Sequence, residues 1–158
     1  MSAITAFGSA LRNFRMLIAG NMARVLLVED DERDRETVQQ ALRHAGFTDI
    51  QWVMDGSQAL EILNDSIRAG VPLPDAIILD LNLPLVSGHE VLRFCKRTPE
   101  LKGTKVVVLS RLKSENEIQV CYYMGASRYI QKSSDQEQLE QQVRSALSAL
   151  VFGAHPAE

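Results

Sequence analysis

Five short apolar runs recur along the chain, and segments with helical periodicity separate them. The runs cover residues 25–28, 50–54, 76–79, 106–109 and 129–130. Several are continuous rather than alternating, which is typical of strands buried on both faces of a parallel sheet. Gly46 and Gly70 follow the first two helical segments, where glycine commonly ends a helix. The pattern therefore predicts five βα units in an α/β, doubly wound sheet with helices on both faces.

The last three predicted helices share a start signal. Each has a serine followed three positions later by a glutamate, namely Ser87 and Glu90, Ser114 and Glu117, and Ser134 and Glu137. In such a capping box the serine side chain accepts from the backbone N–H of the glutamate, and the glutamate reaches back to the backbone N–H of the serine. Because each motif follows a predicted strand, the sequence predicts a helix start at all three.

The first 22 residues differ from this regular part. Apolar residues recur there at helical spacing, and the charged residues are arginines: Ile4, Phe7, Leu11, Phe14 and Ile18, with Arg12 and Arg15. The pattern predicts an amphipathic helix and does not fit a signal peptide. The alternative is that Met22 is the native start and that upstream sequence precedes it. We expect an N-terminal extension over 1–22, one domain over 23–152 and a tail over 153–158.

Composition narrows the class of protein. The chain has 158 residues, of which 46% are hydrophobic and 23% charged, as expected of a single soluble domain. Its formal net charge of −3 does not favour binding to nucleic acid or to an anionic membrane. No apolar run is close in length to a membrane-spanning helix, which needs about 20 residues. The two cysteines, Cys95 and Cys121, lack metal-ligand spacing and suit a reducing cytosol, so we expect a cytoplasmic protein.

Polar residues follow four of the five predicted strands. They are acids, an amide, a hydroxyl and an amine: Glu29, Asp30 and Asp31, then Asp80 and Asn82, then Ser110, and finally Lys132. In a doubly wound sheet, ligands bind beyond the carboxyl ends of the strands, so these side chains should meet there. Close carboxylates repel by ~4 kcal/mol per pair at an effective dielectric constant near 20. An oxygen-only set of ligands favours Mg²⁺ over Zn²⁺.

Asp80 is the candidate nucleophile of this group. A carboxylate that attacks phosphorus forms an acyl phosphate, and a bound cation would offset the charge on the transferred group. Ser110 and Lys132 could then hold its remaining oxygens. Taken singly, an acidic triplet before a helix is more often an N-cap, and an aspartate at a strand end is more often a turn residue. Their joint occurrence at one edge favours phosphoryl transfer.

These motifs resemble the receiver domain of bacterial response regulators. The matching segments are VLLVEDD ending at Asp31, IILDLNLP ending at Pro84, VVLS ending at Ser110 and YIQK ending at Lys132. The intervals of 30 residues from Asp80 to Ser110 and 22 from Ser110 to Lys132 also fit the family. The resemblance covers about residues 23–150. It implies a flavodoxin-like, five-stranded parallel sheet of order 2-1-3-4-5.

The resemblance also implies a role for each residue. Asp80 falls on the phosphoacceptor and Lys132 on the phosphate-binding lysine, while Ser110 takes the place of the switch hydroxyl. The implied ligands of Mg²⁺ are Asp30 and Asp80 directly, the backbone carbonyl of Asn82, and Glu29 through water. Tyr129 falls on the aromatic residue whose rotamer responds to phosphorylation.

The implied function is that of a signalling domain rather than an enzyme. It would accept phosphate from a sensor histidine kinase in a two-component phosphorelay, assisting only its own phosphorylation and dephosphorylation. Lys132-Ser133 and the run from Asp80 to Pro84 resemble single-domain regulators served by bacterial phytochromes. Two alternatives remain open: a receiver-like interaction domain that is never phosphorylated, and a phosphatase with an aspartyl nucleophile. Asn82 does not favour the phosphatase, because that class needs a second acid at this position.

Two positions depart from the family pattern. Most receivers have proline after the lysine, whereas this chain has Ser133, so we expect a trans bond before it. Arg111 directly follows Ser110, where a small residue is usual. It either crowds the phosphoryl group or points to solvent.

The expected output is a protein surface. Only 26 residues follow Lys132, which leaves no room for a DNA-binding module after the last helix. Val120 and Tyr123 should point outward if Cys121 and Met124 point inward, and Val151 and Phe152 extend the apolar run of the last helix: these four form a candidate docking patch. We expect an isologous homodimer through the last two helices and the fifth strand. The alternative is that residues 151–152 cover the base of their own domain.

Overall fold

The computed structural model describes residues 23–152 of the chain. The predictions for residues 1–22 and 153–158 lie outside this part, as do the side chains of Val151 and Phe152. Within the described residues, no helix combines the length with the apolar composition that crossing a bilayer requires.

Strands and helices alternate along the described residues. The strands are β1 (Arg24–Val28), β2 (Asp49–Val53), β3 (Ala76–Asp80), β4 (Lys105–Ser110) and β5 (Arg128–Gln131). The helices are α1 (Glu32–His44), α2 (Gly56–Ala69), α3 (Gly88–Arg97), α4 (Glu115–Tyr123) and α5 (Gln136–Phe152), and a 3₁₀ turn covers Pro99–Leu101. All strand pairs are parallel, and the order is β2-β1-β3-β4-β5. The predicted doubly wound sheet and its order are confirmed.

Alternating side chains on the strands divide the core into two layers. Val25 and Leu27 of β1 pack with α1 and α5 on one face of the sheet. Leu26 and Val28 pack with α2, α3 and α4 on the other. Successive side chains of a strand point to opposite faces, and helices cover both faces of this sheet, so residues 25–28 of β1 and 76–79 of β3 are continuous apolar runs.

The helix starts agree with the capping prediction at two of three places. Ser87 and Glu90 form a complete capping box. Ser114 caps α4 as predicted, but the carboxylate of Glu117 contacts His89 instead of reaching back.

The predicted start at Ser134 is wrong by one residue. The Asp135 carboxylate accepts from the backbone N–H of Gln138 at 2.9 Å, and α5 begins at Gln136. An aspartate at the N-cap bonds the first turn as a serine does, and its negative charge also interacts favourably with the helix dipole.

Candidate functional site

The strand register brings the predicted site residues to one end of the sheet. Val28 of β1 pairs with Leu79 of β3, so the residues that follow them, Glu29 and Asp80, lie side by side. Ser110 pairs with Gln131, which places it beside Lys132. An open pocket of about 560 Å³ lies here, lined by four acids and several other residues, among them Asp30, Asp31, Asp34, Asp80, Asn82, Ser110, Arg111 and Lys132.

Lys132 is buried among three carboxylates. Its Nζ donates to Glu29 Oε2 at 2.6 Å, to Asp34 Oδ2 at 3.1 Å and to Asp80 Oδ2 at 3.2 Å. Burial alone would lower the pKa of Lys132, but the charges of Glu29, Asp80 and Asp34 outweigh this effect and raise the pKa above its usual value. Lys132 therefore keeps its positive charge and neutralises part of the acidic pocket.

Glu29 directly follows β1 and is fully buried behind Lys132, which lines the pocket. Burial and the neighbouring charge of Asp80 raise the pKa of Glu29 to about 8, although Lys132 acts in the opposite direction. Its Oε1 accepts from the backbone N–H of Asp31 at 3.1 Å. Burial and the charge of Asp80 thus outweigh the effect of Lys132 on Glu29, and a cation placed beside Glu29 would favour its ionised form.

Three carboxylates are spaced to share a cation. One oxygen from each of Glu29, Asp30 and Asp80 lies within 4.8 Å of the other two. Oxygen donors of this kind suit Mg²⁺ or Mn²⁺. Asn82 follows β3 at the rim of the pocket, and its backbone N–H donates to Asp80 Oδ1 at 3.1 Å. The residues present therefore fit a hard divalent cation.

Ser110 and Tyr129 both contact the loop that follows β4. The buried Ser110 accepts through Oγ from the backbone N–H of Leu112 at 3.2 Å. The Tyr129 hydroxyl donates to the carbonyl oxygen of Leu112 at 3.0 Å. Burial raises the pKa of Tyr129, so its hydroxyl stays neutral and able to donate. Leu112 thus connects the hydroxyl inside the pocket to the aromatic residue on β5.

The two departures from the family pattern have clear outcomes. Arg111 Nη2 donates to Asp34 Oδ2 at 2.7 Å, although the arginine side chain is 54% exposed. It therefore lies at the rim of the pocket, which neither alternative drawn from the sequence describes fully. The bond between Lys132 and Ser133 is trans, as predicted.

Two polar residues of the pocket, Asp34 and His89, were not identified from the sequence. Asp34 is almost fully buried in the first turn of α1, four residues before the buried Val38. An acid on the apolar face of a predicted helix was the signal that could have identified it. His89 belongs to none of the sequence motifs of the predicted site, yet it lines the pocket and its Nε2 contacts the carboxylate of Glu117, so it joins α3 to α4.

Helix α4 presents half of the predicted docking patch. Val120 is 46% exposed and Tyr123 is 82% exposed, whereas Cys121 is buried and Met124 is half-buried. The outward and inward positions on α4 are those predicted. Lys96 of α3 lies over the Tyr123 ring at 4.6 Å and donates to its backbone carbonyl, which fixes one side of this surface.

Known proteins share both the sequence and the fold. The protein named "Probable methanogenesis regulatory protein FilR2" of Methanothrix harundinacea is 37% identical over 120 residues, which are 75% of this chain and 77% of that protein. Response regulator Rcp1 of Synechocystis is 34% identical over 122 residues, covering 76% of this chain and 83% of Rcp1. A crystal structure of a Mn²⁺-bound Rcp1 matches with a TM-score of 0.70 at 30% identity, over 85% of this chain and 99% of that one.

A further crystal structure is that of the phosphorylated cyanobacterial phytochrome response regulator RcpA. It matches with a TM-score of 0.77 at 35% identity, over 86% of this chain and 99% of RcpA. Residues 25–144 match the family model of the response regulator receiver domain. The chain therefore belongs to the response regulator receiver family, a family of signalling domains, and has phytochrome-associated regulators among its homologues.

Proposed function

We propose that this protein is a phosphorylation-switched regulator of a two-component phosphorelay, and that Asp80 accepts the phosphoryl group from a sensor histidine kinase. The observation that carries the proposal is the contact between Asp80 and the buried, charged Lys132 inside a pocket that opens to solvent. The acids Glu29 and Asp34 hold this lysine in place.

The proposed chemistry is one phosphoryl transfer. A carboxylate oxygen of Asp80 attacks the phosphorus of the donor, a P–O bond to Asp80 forms, and the bond to the leaving group breaks with its electron pair. Lys132 Nζ lies 3.2 Å from Asp80 Oδ2, so oxygens of a phosphoryl group on Asp80 would come within its reach. Ser110, buried at the end of β4, is the second donor available to them.

We further propose Mg²⁺ as the cofactor. Asp30, Asp80 and the backbone carbonyl of Asn82 would hold it directly, and Glu29 would do so through water. The spacing of the three carboxylates and the Mn²⁺-bound structure of Rcp1 support this assignment. When bound, the cation would supply positive charge against the negative charge of the transferred group.

The first test is a mass measurement after incubation with acetyl phosphate and Mg²⁺. Wild-type protein should gain the mass of one phosphoryl group, and Asp80→Asn should gain none because an amide lacks the nucleophilic charge. The variant should keep its circular dichroism, and Asp65→Asn, at an exposed acid of α2, should be labelled normally. Labelling of Asp80→Asn would contradict the assignment.

Two other outcomes would support the alternatives instead. Release of phosphate over many turnovers without an adduct would indicate a phosphatase. Failure of wild-type protein to react with acetyl phosphate, beryllium fluoride or a phosphorylated kinase would indicate a receiver-like domain that works without phosphorylation.

The second test addresses the metal. Trp52 is the single tryptophan of the chain, and its Nε1 donates to the carbonyl oxygen of Glu29 at 2.9 Å, so its fluorescence should report Mg²⁺ binding. We expect Asp30→Ala to weaken Mg²⁺ binding about tenfold or more, because one direct ligand is lost. Glu61→Ala, at an exposed position of α2, is the control for net charge. Equal Mg²⁺ affinity in Asp30→Ala and wild type would contradict the assigned ligand.

We propose that the output is a protein surface, that the protein acts in the cytoplasm and that it binds no nucleic acid. Similarity to RcpA and Rcp1 supports a bacterial phytochrome as its kinase. The exposed α4 residues Val120 and Tyr123 support a homodimer through this face, with Val151 and Phe152 as its proposed continuation.

The dimer is tested by sedimentation at micromolar concentration, with and without beryllium fluoride. Tyr123→Asp and Phe152→Asp should shift the equilibrium toward monomer, because each would place a charge at an apolar contact. Leu85→Asp is a matched control, since Leu85 is 84% exposed on the loop after β3 and belongs to neither α4 nor α5. A wild-type monomer under all conditions would exclude the dimer.

A further inference from the structure

We propose that Arg111 is a second anion-binding cation of the phosphorylation pocket and that Asp34 positions it. The ligand would be the anionic phosphoryl group of the incoming donor. This inference rests on the proposed function, because it concerns how the same pocket is loaded.

Asp34 joins two cations through a single oxygen. Its Oδ2 accepts from Arg111 Nη2 at 2.7 Å and from Lys132 Nζ at 3.1 Å. The Asp34 side chain is only 2% exposed, so its carboxylate is held inside the protein while both cations bind to it. Charge-assisted hydrogen bonds to a fixed, buried carboxylate hold a long arginine side chain in one place. Asp34 thus directs Arg111 across the pocket from β4 toward α1.

Arg111 is exposed to solvent and has N–H donors with which it could bind an incoming anion. It directly follows Ser110, lines the same pocket as Asp80 and is 54% exposed, in contrast to the buried Lys132. A guanidinium group carries five N–H donors in a planar fork, and the bond to Asp34 is made through Nη2. Donors therefore remain for the oxygens of a phosphoryl group that enters from solvent.

The charge of the pocket explains why a second cation would be useful. Asp30 and Asp31 line the pocket and are exposed, so a donor anion meets negative charge as it approaches. Lys132 is already shared among three carboxylates at the base. Arg111 places positive charge at the rim. Its other N–H donors can meet the phosphoryl group while Nη2 stays bonded to Asp34, which is also paired with Lys132.

The experiment compares two small donors that differ in charge. Acetyl phosphate is close to a dianion at neutral pH, whereas phosphoramidate carries one net negative charge. At saturating Mg²⁺ we expect Arg111→Ala to lower the second-order rate constant of Asp80 labelling about tenfold with acetyl phosphate, and distinctly less with phosphoramidate. Arg111→Lys should retain part of the rate. Lys113→Ala, at an exposed cation outside the pocket lining, is the matched control and should leave both rates unchanged.

The role of Asp34 is tested by a double-mutant cycle. Asp34→Asn keeps the shape of the side chain and removes its charge, so the labelling rate with acetyl phosphate should fall. If Asp34 acts through Arg111, this loss should be much smaller in the Arg111→Ala background. An equally large loss there would assign the effect to Lys132 and overturn the positioning role.

Two results would overturn the anion-binding role of Arg111. One is an Arg111→Ala variant that reacts as fast as wild type with acetyl phosphate. The other is an equal loss with both donors, which would point to a disturbed loop rather than to a lost charge. A wild-type protein that forms no adduct at all would overturn the proposed function, and this inference with it.

Discussion

Lys132→Met should destabilise the metal-free protein by about 3 kcal/mol, because it leaves three carboxylates in the pocket without their buried cation. Glu29, Asp34 and Asp80 all accept a hydrogen bond from Lys132 Nζ. The methionine side chain has no hydrogen-bond donor and cannot replace these bonds. The same substitution should tighten Mg²⁺ binding about tenfold, since it removes a positive charge that lies close to the proposed cation site. Urea unfolding in EDTA and Mg²⁺ titration measure the two effects.

Asp80→Asn should change both the stability of the metal-free protein and its Mg²⁺ affinity in the opposite direction to Lys132→Met. It removes one negative charge from the same cluster, so the metal-free protein should become more stable and should bind Mg²⁺ more weakly. A Lys132→Met variant that is as stable as wild type, or that binds Mg²⁺ more weakly, would show that the lysine does not neutralise this pocket.

Sequence patterns were sufficient to predict the architecture of the sheet. Residues 25–28 of β1 and 76–79 of β3 are buried on both faces, so they appear as continuous apolar runs between amphipathic helices. The strand order came only from the family resemblance, because apolar periodicity shows that a strand is buried but not which strand lies beside it. The boundary of α5 was misplaced because Ser134 and Asp135 are adjacent and both are good N-cap residues.

The site was predictable where topology determines position. Four of the site residues end or follow parallel strands: Glu29, Asp80, Ser110 and Lys132. Any doubly wound sheet therefore brings them together at the carboxyl ends of its strands, whatever the paths of the loops. Asp34 and Arg111 are different, because each reaches the pocket from outside the strands. Their meeting depends on the first turn of α1 and on the rotamer of an arginine in a loop, and neither is encoded in local periodicity.

Gly88, the first residue of α3, packs against the carboxyl end of strand β3. Its backbone N–H donates to the carbonyl oxygen of Leu81 at 3.1 Å, which brings the first turn of α3 against the end of β3. A Cβ at Gly88 would lie 2.3 Å from the backbone oxygen of Asp80 and 2.5 Å from Leu81 Cα. Both atoms belong to the backbone, so the clash cannot be relieved by turning a side chain.

We therefore expect Gly88→Ala to lower the free energy of unfolding by about 3 kcal/mol and to slow labelling of Asp80 in the molecules that remain folded. Gly70→Ala is the control: Gly70 has a φ of 64°, but a Cβ there meets nothing within 4 Å. Its backbone strain should cost about 1 kcal/mol without affecting labelling. Urea unfolding and acetyl phosphate kinetics distinguish the two variants. Equal stability of both, with Asp80 labelled at the wild-type rate, would show that the Gly88 contact does not position the phosphoacceptor.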